Sequence, residues 1–160
     1  MKFSIITITK NNLNGLLNTY SSIYNQSFQD YEWIVIDGDS TDGTKEWLIK
    51  NKSNIKFLSE PDTGIYNAMN KGIDLSNGTF FLFLNASDLL FNQETLDKIN
   101  DKITDQTYFI YGDSVDFNHN QEFLRKSKSH KDFWFRMFTH HQSMFFRNFD
   151  NFKIHYNEKY

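Results

Sequence analysis

Residues 37–44 form an acidic cluster whose residue types could bind a nucleotide. They read Asp-Gly-Asp-Ser-Thr-Asp-Gly-Thr and follow a short apolar run. A carboxylate such as Asp37 or Asp39 can accept hydrogen bonds from a nucleobase imide or a ribose hydroxyl. A helix that begins after the cluster would add the positive end of its dipole. The plainer alternative is that aspartate and serine only form a turn and a helix cap here.

Residues 85–88, Asn-Ala-Ser-Asp, form a second cluster directly after the most apolar segment of the chain. Asp88 could hold a hard divalent cation that bridges the two phosphates of a nucleotide-sugar. Such a cation offsets the charge that develops on the leaving diphosphate. One carboxylate is enough only if phosphate and water supply the remaining ligands. A turn aspartate that caps the following helix is the alternative.

Residues 59–72 contain further candidates. Asp62 could reach the ligand. Lys71 could bind a phosphate, although an ordinary solvated helix residue is the better explanation of Lys71. Small residues recur here every four positions, at Gly64, Ala68 and Gly72. They would form a flat helix face that lets another backbone approach closely.

Two segments near the C-terminus carry titratable side chains. His140, His141 and Gln142 could contact a diphosphate or a metal, but a lone histidine pair is more often structural. The basic stretch 125–131 could attract an anionic acceptor or a lipid surface. Because no amphipathic helix accompanies these charges, a solvated loop is the simpler interpretation.

Hydrophobic periodicity predicts the elements that position these residues. Four β-rich apolar runs alternate with three helical segments, which is typical of a mostly parallel, Rossmann-like α/β sheet with helices on both faces. The predicted strands are residues 3–8, 31–37, 55–58 and 79–84. The first predicted helix is capped at Asn11 or Asn12, and the second at Ser40 or Thr41. The third extends from about Gly64 to Ile73. Parallel strands end at one edge, where ligands bind, so the polar clusters should form one site.

The pattern changes after Asp88. One more helix is predicted around Leu96, Ile99 and Ile103. Short β-like runs predict a small antiparallel addition, at residues 108–112, 115–117, 122–125 and 143–146. Aromatic residues in 133–138 and 145–152 are candidates for contacts with further helices or with a second subunit, as in a homo-oligomer.

Bulk properties exclude several classes of protein. The chain has 160 residues, 39% of them hydrophobic, which fits one globular domain. A net charge of -3 gives no general attraction to nucleic acid, and the absence of cysteine excludes disulfides and thiolate metal sites. No apolar run is long enough for a signal peptide or a membrane span, so we expect a cytoplasmic protein whose membrane association, if any, is peripheral.

Six motifs, taken in chain order, resemble the family 2 glycosyltransferases of the GT-A fold, especially bacterial enzymes of surface-polysaccharide assembly. The motifs lie at residues 5–11, 36–44, 59–72, 83–88, 111–113 and 141–142. The resemblance implies inverting transfer of a sugar from a nucleoside-diphosphate sugar to a hydroxyl of a glycan or lipid-linked acceptor, with Mg²⁺ or Mn²⁺, at the inner face of the membrane. Residues 1–88 would be the nucleotide-sugar-binding half and 89–160 a partial acceptor-side half.

The same resemblance implies roles for individual residues. The donor would be bound by Thr7, Thr9, Asn11, Asp37, Asp39, Asp62, Lys71 and Ser87. Asp88 would be the last carboxylate of the family's metal motif. A separate Asp or Glu would act as general base, and the candidates in this sequence are Asp113 and Glu158.

The sequence departs from the family pattern in three ways. Asn85 and Ser87 stand where acidic residues are common, and Met69 stands where many relatives have an arginine that contacts the nucleotide. Relatives also continue beyond the position of Tyr160, with the segment that bears the base, so the resemblance implies a C-terminally truncated chain.

Two other hypotheses remain open. A catalytically incomplete module could bind a nucleotide-sugar or a partner with the same scaffold, and the discriminating feature is a general base. A nucleotidyltransferase would require a glycine-rich loop with Arg and Lys after the first strand, which residues 9–12 do not provide.

Overall fold

The computed structural model describes residues 1–118, 121–129, 131, 139–149 and 155–159. Its centre is a parallel sheet, as predicted. The four parallel strands are β1 (Phe3–Thr9), β2 (Tyr31–Asp37), β3 (Lys56–Ser59) and β4 (Phe80–Phe83). Their order is β3-β2-β1-β4, so the chain turns back beside β1, and the carboxyl ends of β1 and β4 flank a topological switch point.

Four helices cover both faces of this sheet. They are α1 (Leu13–Tyr24), α2 (Thr44–Lys50), α3 (Ile65–Leu75) and α4 (Thr95–Asn100). One face packs Ile5 of β1 with residues of α1, α2 and α4, and the other packs Ile6 against α3. This alternation follows from the two-residue period of a strand, whose neighbouring side chains point to opposite faces. The predicted α/β class and the placement of helices are therefore confirmed.

Two helix boundaries differ from the prediction. Asn12 caps α1, since its side chain accepts a hydrogen bond from the Gly15 N–H, but α2 begins after Gly43 rather than at Ser40 or Thr41. Gly43 has a φ of 98°, a left-handed conformation that glycine adopts without strain. Ser40 is instead bound to Asp37, and it is Asp42 that accepts the first N–H of α2, from Thr44 at 3.1 Å.

The small-residue stripe is confirmed only in part. Gly72 lies where an added Cβ would overlap the side chain of Ile6, so the close approach of α3 to β1 requires glycine. Ala68 is buried in the same interface, whereas Gly64 precedes the helix and faces open space. The predicted last helix is also shorter than expected, because α4 ends at Asn100 and leaves Ile103 outside it.

The remaining strands form the predicted antiparallel addition. They are β5 (Phe109–Tyr111), β6 (Ser114–Asn118), β7 (Gln121–Arg125) and β8 (Met144–Arg147). β8 runs antiparallel to β4 and carries β5 on its other side, while β6 and β7 pair only with each other. Phe145 is 3% exposed and packs in the core, so the prediction that it contacts further helices or a second subunit is wrong at that residue. Residues 133–138 and 150–152 lie outside the described residues.

No helix in the described part of the chain is long and apolar enough to cross a membrane.

Candidate functional site

The loops after the four parallel strands are joined laterally along one edge of the sheet. The Gly38 N–H donates to the Thr9 carbonyl at 2.9 Å, and the Glu60 N–H donates to the Asp37 carbonyl at 3.0 Å. On the other side of β1, the Ala86 N–H donates to the Ile8 carbonyl at 3.1 Å. These bonds continue the sheet pairing beyond the strands, so the predicted polar clusters lie side by side.

Asp37 organises the centre of this edge. It is 0% exposed, and its carboxylate accepts hydrogen bonds from the Ser40 hydroxyl, the Ser40 N–H at 3.2 Å and the Ser59 hydroxyl at 2.7 Å. A buried carboxylate is tolerated only when donors surround it. Asp37 therefore fixes the conformation of the β2–α2 loop. Because Asp37 itself is buried, a ligand would contact this loop rather than the Asp37 carboxylate.

The β1–α1 and β2–α2 loops interlock through Asn11. Its N–H donates to the Ser40 hydroxyl at 2.7 Å, and its side-chain oxygen accepts from the Thr41 N–H at 2.8 Å. Asp42 adds a third link, since its carboxylate accepts from the Leu13 N–H at 2.9 Å. These loops are thus held as one unit.

Three residues of the edge adopt left-handed backbone conformations without being glycine. They are Asn11 (φ 49°), Asp39 (φ 61°) and Ser87 (φ 85°), and they are the only such residues among those described. Non-glycine residues are uncommon in this region, and such strain concentrates at binding sites. The sequence had selected all three as candidates for donor binding.

Two buried oxygens at the edge have no hydrogen-bond partner among the described residues. They are Thr9 Oγ1, at the end of β1, and Asn85 Oδ1, just after β4. Unpaired buried polar atoms are rare in folded proteins because each forfeits its solvation. Both lie at the topological switch point, where a bound ligand could supply the missing donors.

Other candidate residues have partners of their own. Thr7 is 0% exposed, and its hydroxyl donates to the Leu84 carbonyl and accepts from the Trp33 indole. These contacts give Thr7 a structural role in the core rather than a place in the site. Asp39 pairs with Lys45 at 3.0 Å in the exposed β2–α2 loop. Both side chains of this pair are open to solvent.

The β3–α3 loop holds the other two candidates. Asp62 is half-buried and accepts a hydrogen bond from the Gly64 N–H at 3.1 Å. Lys71 binds the Glu60 carboxylate at 2.7 Å and the Pro61 carbonyl at 3.1 Å. Its ammonium group therefore braces the loop, rather than standing free in solvent.

Asp88 occupies a distinct environment at the end of the β4 loop. Burial raises the pKa of its carboxyl group, while hydrogen bonds from the Gln142 side chain and the Asn85 backbone, and the nearby His140, act in the opposite direction. The Asp88 carbonyl accepts from the buried Thr19 hydroxyl at 2.9 Å, which fixes the loop on α1. Ser87 beside it accepts from the Asn12 amide at 3.2 Å.

The fit of a divalent cation depends on Asp88. The described residues contain no group of three or more acidic or histidine side chains that could enclose a metal by themselves. They do offer one half-buried carboxylate with the unpartnered Asn85 oxygen three residues away. This donor set fits a cation such as Mg²⁺ that takes its other ligands from phosphates and water.

Neither candidate base has a suitable environment. Asp113 accepts hydrogen bonds from the N–H and the hydroxyl of Ser127, and these bonds lower its pKa. The Glu158 carboxylate accepts from the side-chain amides of Asn70 at 2.8 Å and Asn67 at 3.1 Å, and its pKa is lowered too. A general base that works near neutral pH benefits from a raised pKa, so these contacts favour anchoring roles.

The His-Gln pair has a role that the sequence left open. Gln142 contacts Asp88, whereas the His141 ring stacks on Phe83 and hydrogen-bonds the Tyr156 hydroxyl at 2.6 Å. Sequence reasoning missed Tyr156 and its partner Asn70. The only available signal was that Asn70 interrupts the apolar face of α3.

Burial of His141 predicts a pH effect on stability. Burial lowers the pKa of the His141 imidazole in the folded protein. On acidification, His141 is therefore protonated at a higher pH in the unfolded chain than in the folded one. The stabilisation is complete above the usual histidine pKa of about 6.5 and is lost as the pH falls below it. We expect the His141→Gln variant to lose less stability than the wild type between pH 7 and about pH 5, measured by urea unfolding. Parallel profiles for the two proteins would contradict this.

The sheet, its switch point and its polar carboxyl edge define an α/β protein of the GT-A type. The chain belongs to glycosyl transferase family 2, whose family model matches residues 4–158. Among relatives, a PGL/p-HBAD biosynthesis glycosyltransferase of Mycobacterium tuberculosis is 36% identical over 119 residues, which is 71% of this chain and 46% of the relative. The chain therefore spans about half the length of that relative.

Solved structures agree with this assignment. Staphylococcus aureus TarS in complex with UDP-GlcNAc is 28% identical with a TM-score of 0.56, over 63% of this chain and 30% of that one. The mannosyltransferase PcManGT from Pyrobaculum calidifontis, in complex with GDP-Man and Mn²⁺, has a TM-score of 0.66 over 91% of this chain and 44% of that one. At 19% identity the second likeness concerns the fold alone.

Proposed function

We propose that this chain forms the donor-binding part of a glycosyltransferase that moves a sugar from a nucleoside diphosphate to an acceptor hydroxyl. The observation that carries the proposal is the convergence at one sheet edge of the unpartnered oxygens of Thr9 and Asn85 with the left-handed residues Asn11, Asp39 and Ser87. Family membership and a solved relative in complex with UDP-GlcNAc support it.

Each part of the edge has a proposed task. Thr9 and the loop shaped by Asp37 face the nucleoside, with Asn11, Asp39 and Asp62 around it. Ser87 and Asp88 face the diphosphate. Lys71 acts indirectly, because its ammonium group holds the Glu60 loop.

The proposed reaction is an in-line displacement. The acceptor oxygen forms a bond to the anomeric carbon as the bond to the diphosphate breaks, so the electron pair leaves with the diphosphate and the configuration inverts. The acceptor proton passes to a general base, a role that we assign to neither Asp113 nor Glu158. A divalent cation, Mg²⁺ or Mn²⁺, would be held by Asp88 and would offset the charge of the leaving diphosphate.

The biological setting is also a proposal. We propose a glycan or lipid-linked acceptor, a role in cell-surface polysaccharide synthesis and a location at the inner face of the membrane. The proposal follows from the resemblance of the sequence motifs to enzymes of surface-polysaccharide assembly, and one relative is named as a glycosyltransferase of PGL/p-HBAD biosynthesis.

Calorimetric titration of UDP and of GDP into the whole chain, with and without Mn²⁺, tests the proposed donor site. We expect one nucleotide to bind, and Mn²⁺ to tighten binding by at least about tenfold, because the cation joins Asp88 to the phosphates. A folded sample that binds neither nucleotide would refute the proposal.

A second candidate function is a module that binds the donor without transferring its sugar. The lowered pKa of both Asp113 and Glu158 favours it, because neither of these two candidates then has the raised pKa that suits a general base. Incubation with the UDP- or GDP-sugar that binds distinguishes the two functions. Release of the nucleotide in the presence of a glycan acceptor supports transfer, and binding without release supports the module.

A further inference from the structure

The segment 155–159 lies across α3, and Asn70 makes several of the hydrogen bonds that hold it there. Asn70 is 8% exposed, and its amide oxygen accepts from the Tyr156 N–H at 2.8 Å while its amide nitrogen donates to the Tyr156 carbonyl at 3.0 Å. This pairing imitates the backbone bonds of a neighbouring strand. The same amide group donates to Glu158 at 2.8 Å, so Asn70 contacts the segment at two of its residues. Asn67 and Asp74 of the same helix add bonds to Glu158 and His155.

Tyr156 connects this segment to the other side of the site. Its ring stacks on Tyr66 of α3, with centroids 5.3 Å apart, and meets Phe83 of β4 edge-on at 6.0 Å. Its hydroxyl forms the 2.6 Å hydrogen bond with His141 Nε2. The tyrosine is therefore locked in one orientation by two rings and a directional bond.

His141 begins a short 3₁₀ helix, His141–Ser143, that carries Gln142 against Asp88. The Ser143 N–H donates to the His140 carbonyl at 3.0 Å and the Ser143 carbonyl accepts from the Gly112 N–H at 3.0 Å, which fixes the C-terminal end of this turn. Stacking of His141 on Phe83, 5.2 Å between centroids, together with the Tyr156 hydroxyl fixes its beginning. Contacts thus run from Asn70 through Tyr156 to His141. The next residue of the turn, Gln142, interacts with the Asp88 carboxyl group and lowers its pKa against the effect of burial.

We propose that Tyr156 and Asn70 are positioning residues of the donor site, which hold the 141–143 turn so that Gln142 orients the Asp88 carboxylate toward a cation and diphosphate. This inference rests on the proposed function. A side-chain donor such as Gln142 can orient a carboxylate only if the donor is itself held in place. The contacts with Tyr156 supply this constraint from a segment about 70 residues away in sequence from Asp88.

The variant Tyr156→Phe tests the inference, because it keeps both ring contacts and removes only the hydroxyl bond to His141. Tyr31→Phe is the matched control, since the Tyr31 hydroxyl also donates one hydrogen bond, to the Ile23 carbonyl at 3.0 Å, but at the amino end of β2. We expect Tyr156→Phe to weaken Mn²⁺-dependent binding of UDP or GDP by about tenfold, the effect of losing the hydrogen bond by which Gln142 orients the charged Asp88 carboxylate. Binding without Mn²⁺ should be unchanged, and Tyr31→Phe should alter neither.

A double-mutant cycle separates positioning from general loss of structure. If Tyr156 acts through Gln142, then Gln142→Ala alone weakens the Mn²⁺-dependent binding, and adding Tyr156→Phe weakens it no further. Effects that simply add, or equal losses with and without Mn²⁺, would overturn the inference.

A measurement without ligand keeps the inference testable if the proposed function fails. In ¹⁵N-labelled protein the side-chain amide signals of Gln142 should shift in Tyr156→Phe and stay in place in Tyr31→Phe. Unchanged Gln142 signals in Tyr156→Phe would refute the positioning role, whereas absent nucleotide binding by the wild type would refute only the donor site.

Discussion

The Asp88→Asn variant is expected to lose the cation-dependent part of nucleoside-diphosphate binding, with affinity in the presence of Mn²⁺ falling about 100-fold. Asp88 is a half-buried carboxylate three residues after Asn85, whose side-chain oxygen has no partner among the described residues. Asparagine keeps the shape of the aspartate side chain without its charge. Burial already favours the neutral form of Asp88, as its raised pKa indicates, so the variant should fold as stably as the wild type. Calorimetric titration with and without Mn²⁺ measures the effect.

Two comparisons sharpen this prediction. Asp101→Asn replaces an exposed carboxylate at the end of α4 and should bind like the wild type. Burial raises the pKa of Asp88, so this carboxylate becomes protonated at a higher pH than an exposed aspartate does. The cation-dependent binding of the wild type should therefore weaken at that higher pH. An Asp88→Asn variant that retains full Mn²⁺ enhancement would show that the cation is held elsewhere.

The Asp37→Ala variant is expected to be destabilised by about 3 kcal/mol. The change leaves the hydroxyls of Ser40 and Ser59 and the Ser40 N–H without their acceptor in a region closed to water. It also frees Ser40 from the position in which it accepts the Asn11 N–H, so one of the three links between the two loops of the proposed nucleoside site is lost. Chemical denaturation followed by circular dichroism measures the loss.

Asp101→Ala is the control for this second prediction, because it deletes an exposed carboxylate and should change stability by less than about 0.5 kcal/mol. Equal stabilities of Asp37→Ala and wild type would mean that Asp37 does not organise the loop.

Local patterns predicted the parallel sheet and its polar edge. Strands β1 and β4 are largely apolar because both their faces are covered, and the register of β1 with β2 makes Thr9 a neighbour of Asp37. Asn11, Asp39 and Ser87 could be selected because polar residues that follow such strands in a parallel sheet must meet. The antiparallel addition was also predictable, because it consists of short β-rich runs without helices between most of them.

What the sequence could not show are contacts that depend on three-dimensional neighbours. Thr7 lies in the same strand as Thr9, and nothing in the sequence distinguishes the two threonines. Only the structure shows that the Trp33 indole donates a hydrogen bond to the Thr7 hydroxyl in the core. The start of α2 was misplaced because Ser40 has a stronger partner in Asp37 than in the helix. Asn70 and Tyr156 are 86 residues apart, and no periodicity links them.

The most direct test of the donor site is to record ¹⁵N–¹H spectra of the chain while UDP or GDP is added with Mg²⁺. If the sheet edge binds the donor, the largest shifts will fall in residues 9–12, 37–43 and 85–88, and the amino ends of the strands will stay unchanged. Shifts confined to other surfaces, or none at all in a well-folded sample, would contradict a donor site at this edge.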